Sequence, residues 1–268
     1  MTTDIVRTVG GRASPAMARR RRSLGPMTQT DAPVDAESPR VTPALLRWAE
    51  SMCGRRLAGL HHDRRGNRPS DARFRVANRV FDSARLAHTD IAVPTLGAFR
   101  AVTGLEPEEQ RVYEAAGRWY VTLFGDRAVR AVDLDDWESP VAELGVRLVG
   151  PAGLPVEDAD GRRELRLLRV GARRPVAGDP LESIEARFAL ERVAGWAGGA
   201  SLRLCVADLV QGALIEREVD VNRVLDAEVR PWLAERVAVI RARVADPTPQ
   251  PGLECAHCRY VAGCAAHA

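Results

Sequence analysis

The stretch that decides the fold is Leu154-Pro-Val-Glu-Asp-Ala-Asp-Gly-Arg-Arg-Glu-Leu-Arg-Leu-Leu-Arg-Val170. Two largely apolar runs, at 154–157 and 164–170, flank the sequence Asp158-Ala-Asp-Gly161. Short runs of this kind favour β-strands, and Asp and Gly favour the tight turn between two paired strands. The stretch therefore predicts a β-hairpin.

The segments around this hairpin alternate between strand and helix patterns. Period-two patterning predicts further strands at 128–134, 141–149, 201–208 and 213–219. Helical spacing of apolar residues predicts helices at 42–57, 70–100, 106–124, 182–197 and 221–245. In the helix at 106–124 we expect the core side to consist of Val112, Ala115, Ala116, Trp119, Tyr120 and Leu123. This order of elements indicates a mixed α/β or α+β fold.

The chain divides into a tail and one domain. Residues 1–40 are rich in Thr, Ser, Ala, Pro and Asp and include the run Arg19-Arg-Arg-Arg22, which predicts a disordered basic tail. Thr42-Pro43 then places a capping residue before a proline at the first helical position. We expect residues 41–268 to form a single domain, long enough to bury a sizeable core.

Composition restricts the chemistry. All 39 basic residues are arginine, and the net charge is only +3. A chain without lysine has no Walker A lysine, no Schiff-base lysine and no lysine in a nuclease site. Any affinity for nucleic acid must then come from clustered arginines, and Arg55, Arg56, Arg64, Arg65 and Arg68 form such a cluster.

Three of the five cysteines lie near the end of the chain, as Cys255-Ala-His-Cys258-Arg-Tyr-Val-Ala-Gly-Cys264. Closely spaced thiols suit zinc or an iron–sulfur cluster, and both normally take four protein ligands. Cys205 lies in an apolar strand pattern and is expected to be a core residue. Cys53 is therefore the better fourth ligand. This odd, clustered set favours a metal site in a reducing cytoplasm over disulfides, and no transmembrane segment or secretory signal is expected.

One cysteine on an early helix followed by C-x2-C-x5-C at the end of the chain resembles the RecB-type iron–sulfur nucleases of the PD-(D/E)XK superfamily. That group includes the AddB nuclease domain and CRISPR-associated RecB-like exonucleases. The resemblance covers about residues 42–265. It implies a restriction-endonuclease-like core with N-terminal helices and a C-terminal tail. It also implies a 4Fe-4S cluster held by Cys53, Cys255, Cys258 and Cys264.

The catalytic residues of that family have no counterparts at the aligned positions. The family places an aspartate on one strand and Asp/Glu-x-Lys on the next, around a divalent metal. The alignment puts Gly153 at the aspartate, Leu167 at the second acid and Arg169 at the lysine. The Gln-x-x-x-Tyr of a later helix falls on Arg187 and Glu191. The resemblance thus implies a nuclease fold without catalytic residues.

Alternative sites and metals remain open. A shifted alignment uses Asp158 and Glu164, which flank the predicted hairpin turn, whereas the family's acids lie away from the turn. Four acidic residues before the strand at 141–149 are expected to end one strand and enter a loop: Asp133, Asp135, Asp136 and Glu138. Four cysteines could also hold zinc, although a zinc ribbon needs two close pairs.

Three functions are compatible with these patterns. The first is an inactive nuclease-like protein that binds DNA or a DNA-processing protein partner. The second is a metal-dependent DNA exonuclease with unusual catalytic residues. The third is a redox or iron sensor in which the cluster is the functional group.

Overall fold

The computed structural model describes residues 38–49, 53, 54, 57, 72–100, 102–134, 138–171, 177–248 and 264. Residues 33–268 belong to one compact unit of the chain. The strands are β1 (Arg40–Val41), β2 (Arg130–Ala131), β3 (Glu138–Val141), β4 (Val146–Val149), β5 (Leu154–Glu157), β6 (Arg163–Arg169), β7 (Ser201–Asp208) and β8 (Ala213–Asp220). The helices are α1 (Pro43–Trp48), α2 (Ala72–Leu86), α3 (Pro107–Phe124), α4 (Ile184–Ala197), α5 (Val221–Val224) and α6 (Arg230–Ala245). The fold is mixed α/β, as the sequence predicts.

The main sheet has five strands in the order β2-β5-β6-β7-β8. β5 and β6 pair antiparallel with Leu154 opposite Arg166, which confirms the predicted hairpin. β6 and β7 are parallel, and α4 crosses between them. A helix is the usual connection between parallel neighbours, because the chain must return to the edge of the sheet at which the first strand began.

A second sheet of three strands has the order β1-β4-β3. β1 pairs parallel with β4, and β3 pairs antiparallel with it. The single strand predicted at 141–149 is wrong: the 3-10 turn Ala142–Leu144 and Gly145, at φ 54°, separate two strands of a hairpin. Glycine reaches this left-handed conformation without a steric penalty, so it allows the reversal.

Two predicted helices differ from the observed ones. The helix expected at 70–100 ends at Leu86, and a separate 3-10 turn forms at Leu96–Phe99. The helix expected at 221–245 contains a π segment, Leu225–Val229, between α5 and α6. Pro231 follows directly in the first turn of α6. Proline has no N–H and its ring crowds the carbonyl four residues earlier, so a widened turn precedes it.

Helices cover both faces of the main sheet. On one face, α4, α5 and the π segment pack on apolar side chains that include Leu165, Leu167 and Leu204. On the other face, α2 and α3 pack on Leu154, Val156 and other buried residues. A third apolar cluster joins the small sheet to α1 and α6. The burial of these three clusters supplies the main driving force for folding.

The buried face of α3 agrees with the prediction only in part, at Ala116 and Tyr120. Tyr113, Tyr120 and Phe124 are fully buried, whereas Val112 and Trp119 are each 37% exposed. The phenylalanine of the 3-10 turn, Phe99, packs against Tyr113 and Tyr120. This neighbour, distant in sequence from the core of α3, selects the aromatic face. In the described part of the chain, no helix is long and apolar enough to cross a membrane.

Candidate functional site

The positions that align with the nuclease acids lie next to each other, one just before β5 and the other on β6. Gly153 precedes β5 and has φ 78°. A Cβ atom on Gly153 would lie 2.9 Å from Leu167 Cδ2 and 3.0 Å from the Arg166 carbonyl oxygen. Leu167 is 8% exposed and belongs to the core under α4. The two strands thus bring the aligned positions together, but they build an apolar contact there.

The remaining aligned positions have structural contacts of their own. Arg169 is the last residue of β6 and is opposite Asp208 of β7, and its carbonyl accepts a hydrogen bond from Leu209 N at 2.9 Å. On α4, Arg187 lies over the Trp232 ring, and Glu191 accepts a hydrogen bond from Arg230 at 3.3 Å. Burial raises the pKa of Glu191.

The two acids of the shifted alignment also have defined contacts. Asp158 Oδ1 accepts hydrogen bonds from the backbone N–H groups of Asp160 and Arg162, both at 2.9 Å, and so stabilises the hairpin turn. Glu164 is buried, with its carboxylate bound by the guanidinium groups of Arg127 and Arg166. Both carboxylates line one open cavity of about 470 Å³, which is also lined by Arg127, Arg203 and Glu218.

A buried polar network lies between α3 and the main sheet. Arg166 has no exposed surface, and its Nη1 donates to Tyr120 Oη at 2.8 Å and to His88 Nε2 at 3.1 Å. Its Nε donates to Glu164, and its guanidinium lies 4.1 Å from the centre of the Phe124 ring. A buried cation needs such partners, because an uncompensated charge in the interior is very costly.

The hydrogen bonds of this network assign the tautomer of His88. Arginine only donates, so His88 Nε2 accepts from Arg166, and Nδ1–H donates to the Ala92 carbonyl at 3.1 Å. The Tyr120 hydroxyl accepts from Arg166 and donates to the same Nε2 at 2.9 Å. Burial and the nearby Arg166 guanidinium lower the pKa of His88 to about 4. Burial raises the pKa of Tyr120 to about 12.

Arg127 lies beside this network and connects three strands. Its Nη1 is 3.0 Å from Glu164 Oε2, 2.5 Å from Glu216 Oε1 and 3.7 Å from Cys205 Sγ. The hydrogen bond to Glu216 raises the pKa of Arg127, and the same bond lowers the pKa of Glu216. Burial raises the pKa of the Cys205 thiol, which donates to Glu216 Oε1 at 3.0 Å. Cys205 is a core residue, as predicted, but it also has these polar contacts.

Of the four candidate cluster ligands, Cys53 and Cys264 are among the described residues. A Cβ atom on Gly54, which follows Cys53, would lie 3.0 Å from the carbonyl oxygen of Thr248. Cys264 is 8% exposed. The segment that holds Cys53 therefore lies against the chain just after α6, and a thiol is a ligand that suits a soft metal. Cys255 and Cys258 lie outside the described residues.

The candidate nucleic-acid residues are not described either. Arg55, Arg56, Arg64, Arg65 and Arg68 all lie outside the described residues, as do Asp135 and Asp136. Of the other two acids of that patch, Asp133 follows β2 and accepts from Arg85 at 3.1 Å, and Glu138 begins β3 and pairs with Arg40 and Arg147. The expectation that these acids end one strand and enter a loop agrees with the position of Asp133, but it is wrong for Glu138, which is paired with Val149 in β3.

Sequence reasoning missed His88 in the polar network, and it missed Arg127 and Glu216 beside the network. One signal was available: Arg166 stands between leucines in a strand that must be covered on both faces by helices. A charge at such a position requires buried partners. The partner residues come from segments up to 89 residues apart in sequence, and local sequence patterns do not show which of these segments are in contact. No known protein-family model matches the chain, and no curated protein matches it.

Proposed function

We propose that the protein is a non-catalytic, iron–sulfur PD-(D/E)XK nuclease-like protein that binds DNA or a DNA-processing partner. The observation that carries the proposal is the contact between Gly153 and Leu167 at the aligned catalytic positions. An acidic side chain at position 153 would collide with β6, and the facing position is a buried leucine. Hard divalent metals need oxygen ligands, and neither residue has a side-chain oxygen.

The placement of the chain ends supports the cluster. Cys53 precedes Gly54, whose backbone lies against Thr248, and Thr248 stands seven residues before Cys255. α1 and α6 share one apolar core through Leu46, Leu233 and Val237. Packing therefore brings the early cysteine near the start of the C-terminal tail. A cluster that links these segments stabilises the fold, because it joins parts of the chain about two hundred residues apart.

The first experiment separates binding from cleavage. Full-length protein, purified anaerobically with its cluster, is incubated with single-stranded and double-stranded DNA in magnesium or manganese. We expect no cleavage, and we expect binding whose affinity falls steeply with salt, because arginine contacts to phosphate release counterions. Binding that does not change with salt would exclude a phosphate interface. In that case, a co-purifying DNA-processing protein is the expected partner.

The second candidate function, an active exonuclease, rests on the shared cavity of Asp158 and Glu164. This function predicts that the natural sequence cleaves DNA and that Asp158→Asn folds normally but does not cleave it. Asp158 is suitable for this substitution because its side chain is half-exposed and an amide oxygen can still accept the turn hydrogen bonds. Metal-dependent cleavage lost in this variant would overturn the non-catalytic assignment.

A further inference from the structure

We propose that Glu164, Cys205 and Glu216 form a binding site for a soft divalent cation of the zinc class, and that Arg127 occupies this site as an internal cation. The three residues come from β6, β7 and β8, and their ligand atoms all lie within 4.8 Å of one another. The site is separate from the cysteines at the chain ends.

The arrangement of the ligand atoms suits zinc. Zinc binds thiolate at about 2.3 Å and carboxylate at about 2.0–2.2 Å, so tetrahedral ligand atoms lie about 3.4–3.6 Å apart. Cys205 Sγ and Glu216 Oε1 are 3.0 Å apart. Small side-chain shifts on rigid neighbouring strands therefore bring the three atoms to bonding positions. The mixed thiol and carboxylate set favours zinc-class ions over magnesium or calcium, which take oxygen ligands alone.

The position of Arg127 is independent evidence that a cation fits between these atoms. Nη1 contacts all three ligand residues, and the second guanidinium nitrogen, Nη2, donates to Glu216 Oε2 at 2.9 Å. A guanidinium group has no acceptor, so it can replace a metal ion only as a positive charge and a donor. The three residues thus already bind a cation, which is supplied by the chain itself.

An adjoining cavity gives Arg127 a place to move. Arg127 and Glu164 line the same open cavity of about 470 Å³, which also reaches Arg203 and Glu218. The Arg127 side chain is 17% exposed and lines this cavity, so the cavity gives it a direction in which to turn outward. Water in this cavity can supply the fourth ligand of a tetrahedral metal. On metal binding, the Cys205 thiol loses its proton to solvent and binds as a thiolate.

Glu164 has a positively charged partner whether Arg127 occupies the site or is displaced by a metal ion. Its Oε1 accepts from Arg166 Nε, and this contact does not involve Arg127. Displacement of Arg127 therefore leaves no uncompensated carboxylate in the interior. For the same reason, a variant without the Arg127 charge is expected to fold. Arg127→Gln removes the cation and leaves a shorter, neutral side chain that can still donate hydrogen bonds.

The test is a titration of the full chain with Co²⁺, which gives near-ultraviolet absorption when bound to thiolate, followed by competition with Zn²⁺. Four proteins are compared: the natural sequence, Arg127→Gln, Arg127→Gln/Cys205→Ser and Arg127→Gln/Glu216→Gln. The two double variants are controls, because they keep the cysteines at positions 53, 255, 258 and 264 and so measure the Co²⁺ bound there. We expect Arg127→Gln to bind one more equivalent of Co²⁺ than the Cys205→Ser double variant, with a thiolate band.

We also expect the natural sequence to bind this equivalent at least about tenfold more weakly than Arg127→Gln, because its charge-assisted hydrogen bonds must first break. Two results would overturn the proposal. One is the absence of any equivalent that depends on Cys205. The other is equal affinity in the natural sequence and Arg127→Gln, which would show that Arg127 does not occupy the site.

A second measurement applies if Arg127→Gln does not fold. Zn²⁺ at millimolar concentration should raise the thermal midpoint of the natural sequence, because a ligand that binds only the folded state stabilises it. Cys205→Ala should lose this increase. An increase of the same size in Cys205→Ala, or none in the natural sequence, would contradict the proposal.

Discussion

The buried guanidinium of Arg166 is the residue on which the polar interior depends. It donates to Glu164, Tyr120 and His88 and lies over the ring of Phe124. Removing one partner of a buried charged pair costs about 3–5 kcal/mol, because the other charge is then left alone. The network therefore connects the segment after α2, the C-terminal half of α3 and strand β6 through charge, in addition to the apolar packing of these helices on the sheet.

His88 makes stability depend on pH. Its folded-state pKa is lowered to about 4 from an ordinary value of 6.5. The unfolded chain therefore binds a proton first as pH falls, and this residue's contribution is complete above pH 6.5. Between pH 6.5 and pH 4, the free energy of unfolding should fall by about 1.4 kcal/mol per pH unit from this histidine alone.

His88→Asn isolates that contribution, because asparagine keeps a donor and an acceptor but does not titrate in this range. Urea unfolding of both proteins at several pH values between 7 and 4 is the measurement. The stability advantage of the natural sequence over the variant should shrink as the pH decreases. Parallel pH profiles for the two proteins would show that His88 does not remain neutral in the fold.

Gly153 is required by both its backbone angle and its neighbours. Gly153→Ala should destabilise the protein by about 2–3 kcal/mol, since φ 78° is unfavourable for alanine and the new Cβ meets Leu167 and a backbone carbonyl. Gly161→Ala is the matched control: Gly161 also has φ 78°, but nothing lies within 4 Å of its Cβ position. The control should cost about 1 kcal/mol, from the backbone alone. If the thermal midpoints of Gly153→Ala and Gly161→Ala fell equally, β6 would be able to move away from the added Cβ atom at little cost.

At the scale of elements, α3 depends on a close approach by the 3-10 turn at Leu96–Phe99. A Cβ atom on Gly117 would lie 2.6 Å from Phe99 Cβ. Gly117→Ala should therefore destabilise the fold by about 1–3 kcal/mol through overpacking, although alanine is the better helix former. Gly195 in α4 has open space around its Cβ position, and Gly195→Ala should stabilise by about 0.5–1 kcal/mol. Denaturant midpoints that move in the same direction for both variants would contradict this contact.

Helices and strands were predicted correctly where neighbouring residues in the sequence determine them, and incorrectly where distant residues do. The hairpin around Asp158–Gly161 and the strands β7 and β8 were predictable, because alternation and turn residues act within a few residues. The end of α2 at Leu86 was not, and Ile91 and Val93, which follow it, are exposed in the fold. The exposed fraction of those side chains depends on distant elements.

At the scale of the whole molecule, the segment after α1 lies against the segment after α6, because a Cβ atom on Gly54 would lie 3.0 Å from the Thr248 carbonyl oxygen. We expect the protein with its cluster to be brown, and Cys53→Ser to lose both iron and visible absorption with a lower thermal midpoint. Cys205→Ala should keep the iron, because Cys205 lies under α2 and α3 in a different core. Iron content that is unchanged in Cys53→Ser would exclude this cysteine as a ligand. A colourless protein that contains zinc would replace the iron–sulfur assignment.

The sequence by itself determined the mixed α/β class, the hairpin and the strands that follow it, because these depend on local patterns of apolar residues and turns. It also determined that no lysine can act in catalysis. Only the tertiary structure decided that Gly153 meets Leu167 and that Gly54 approaches Thr248. Only the tertiary structure decided, too, that Arg127 lies among Glu164, Cys205 and Glu216. These contacts join residues far apart in the chain, and their energies depend on burial and charge that no local pattern contains.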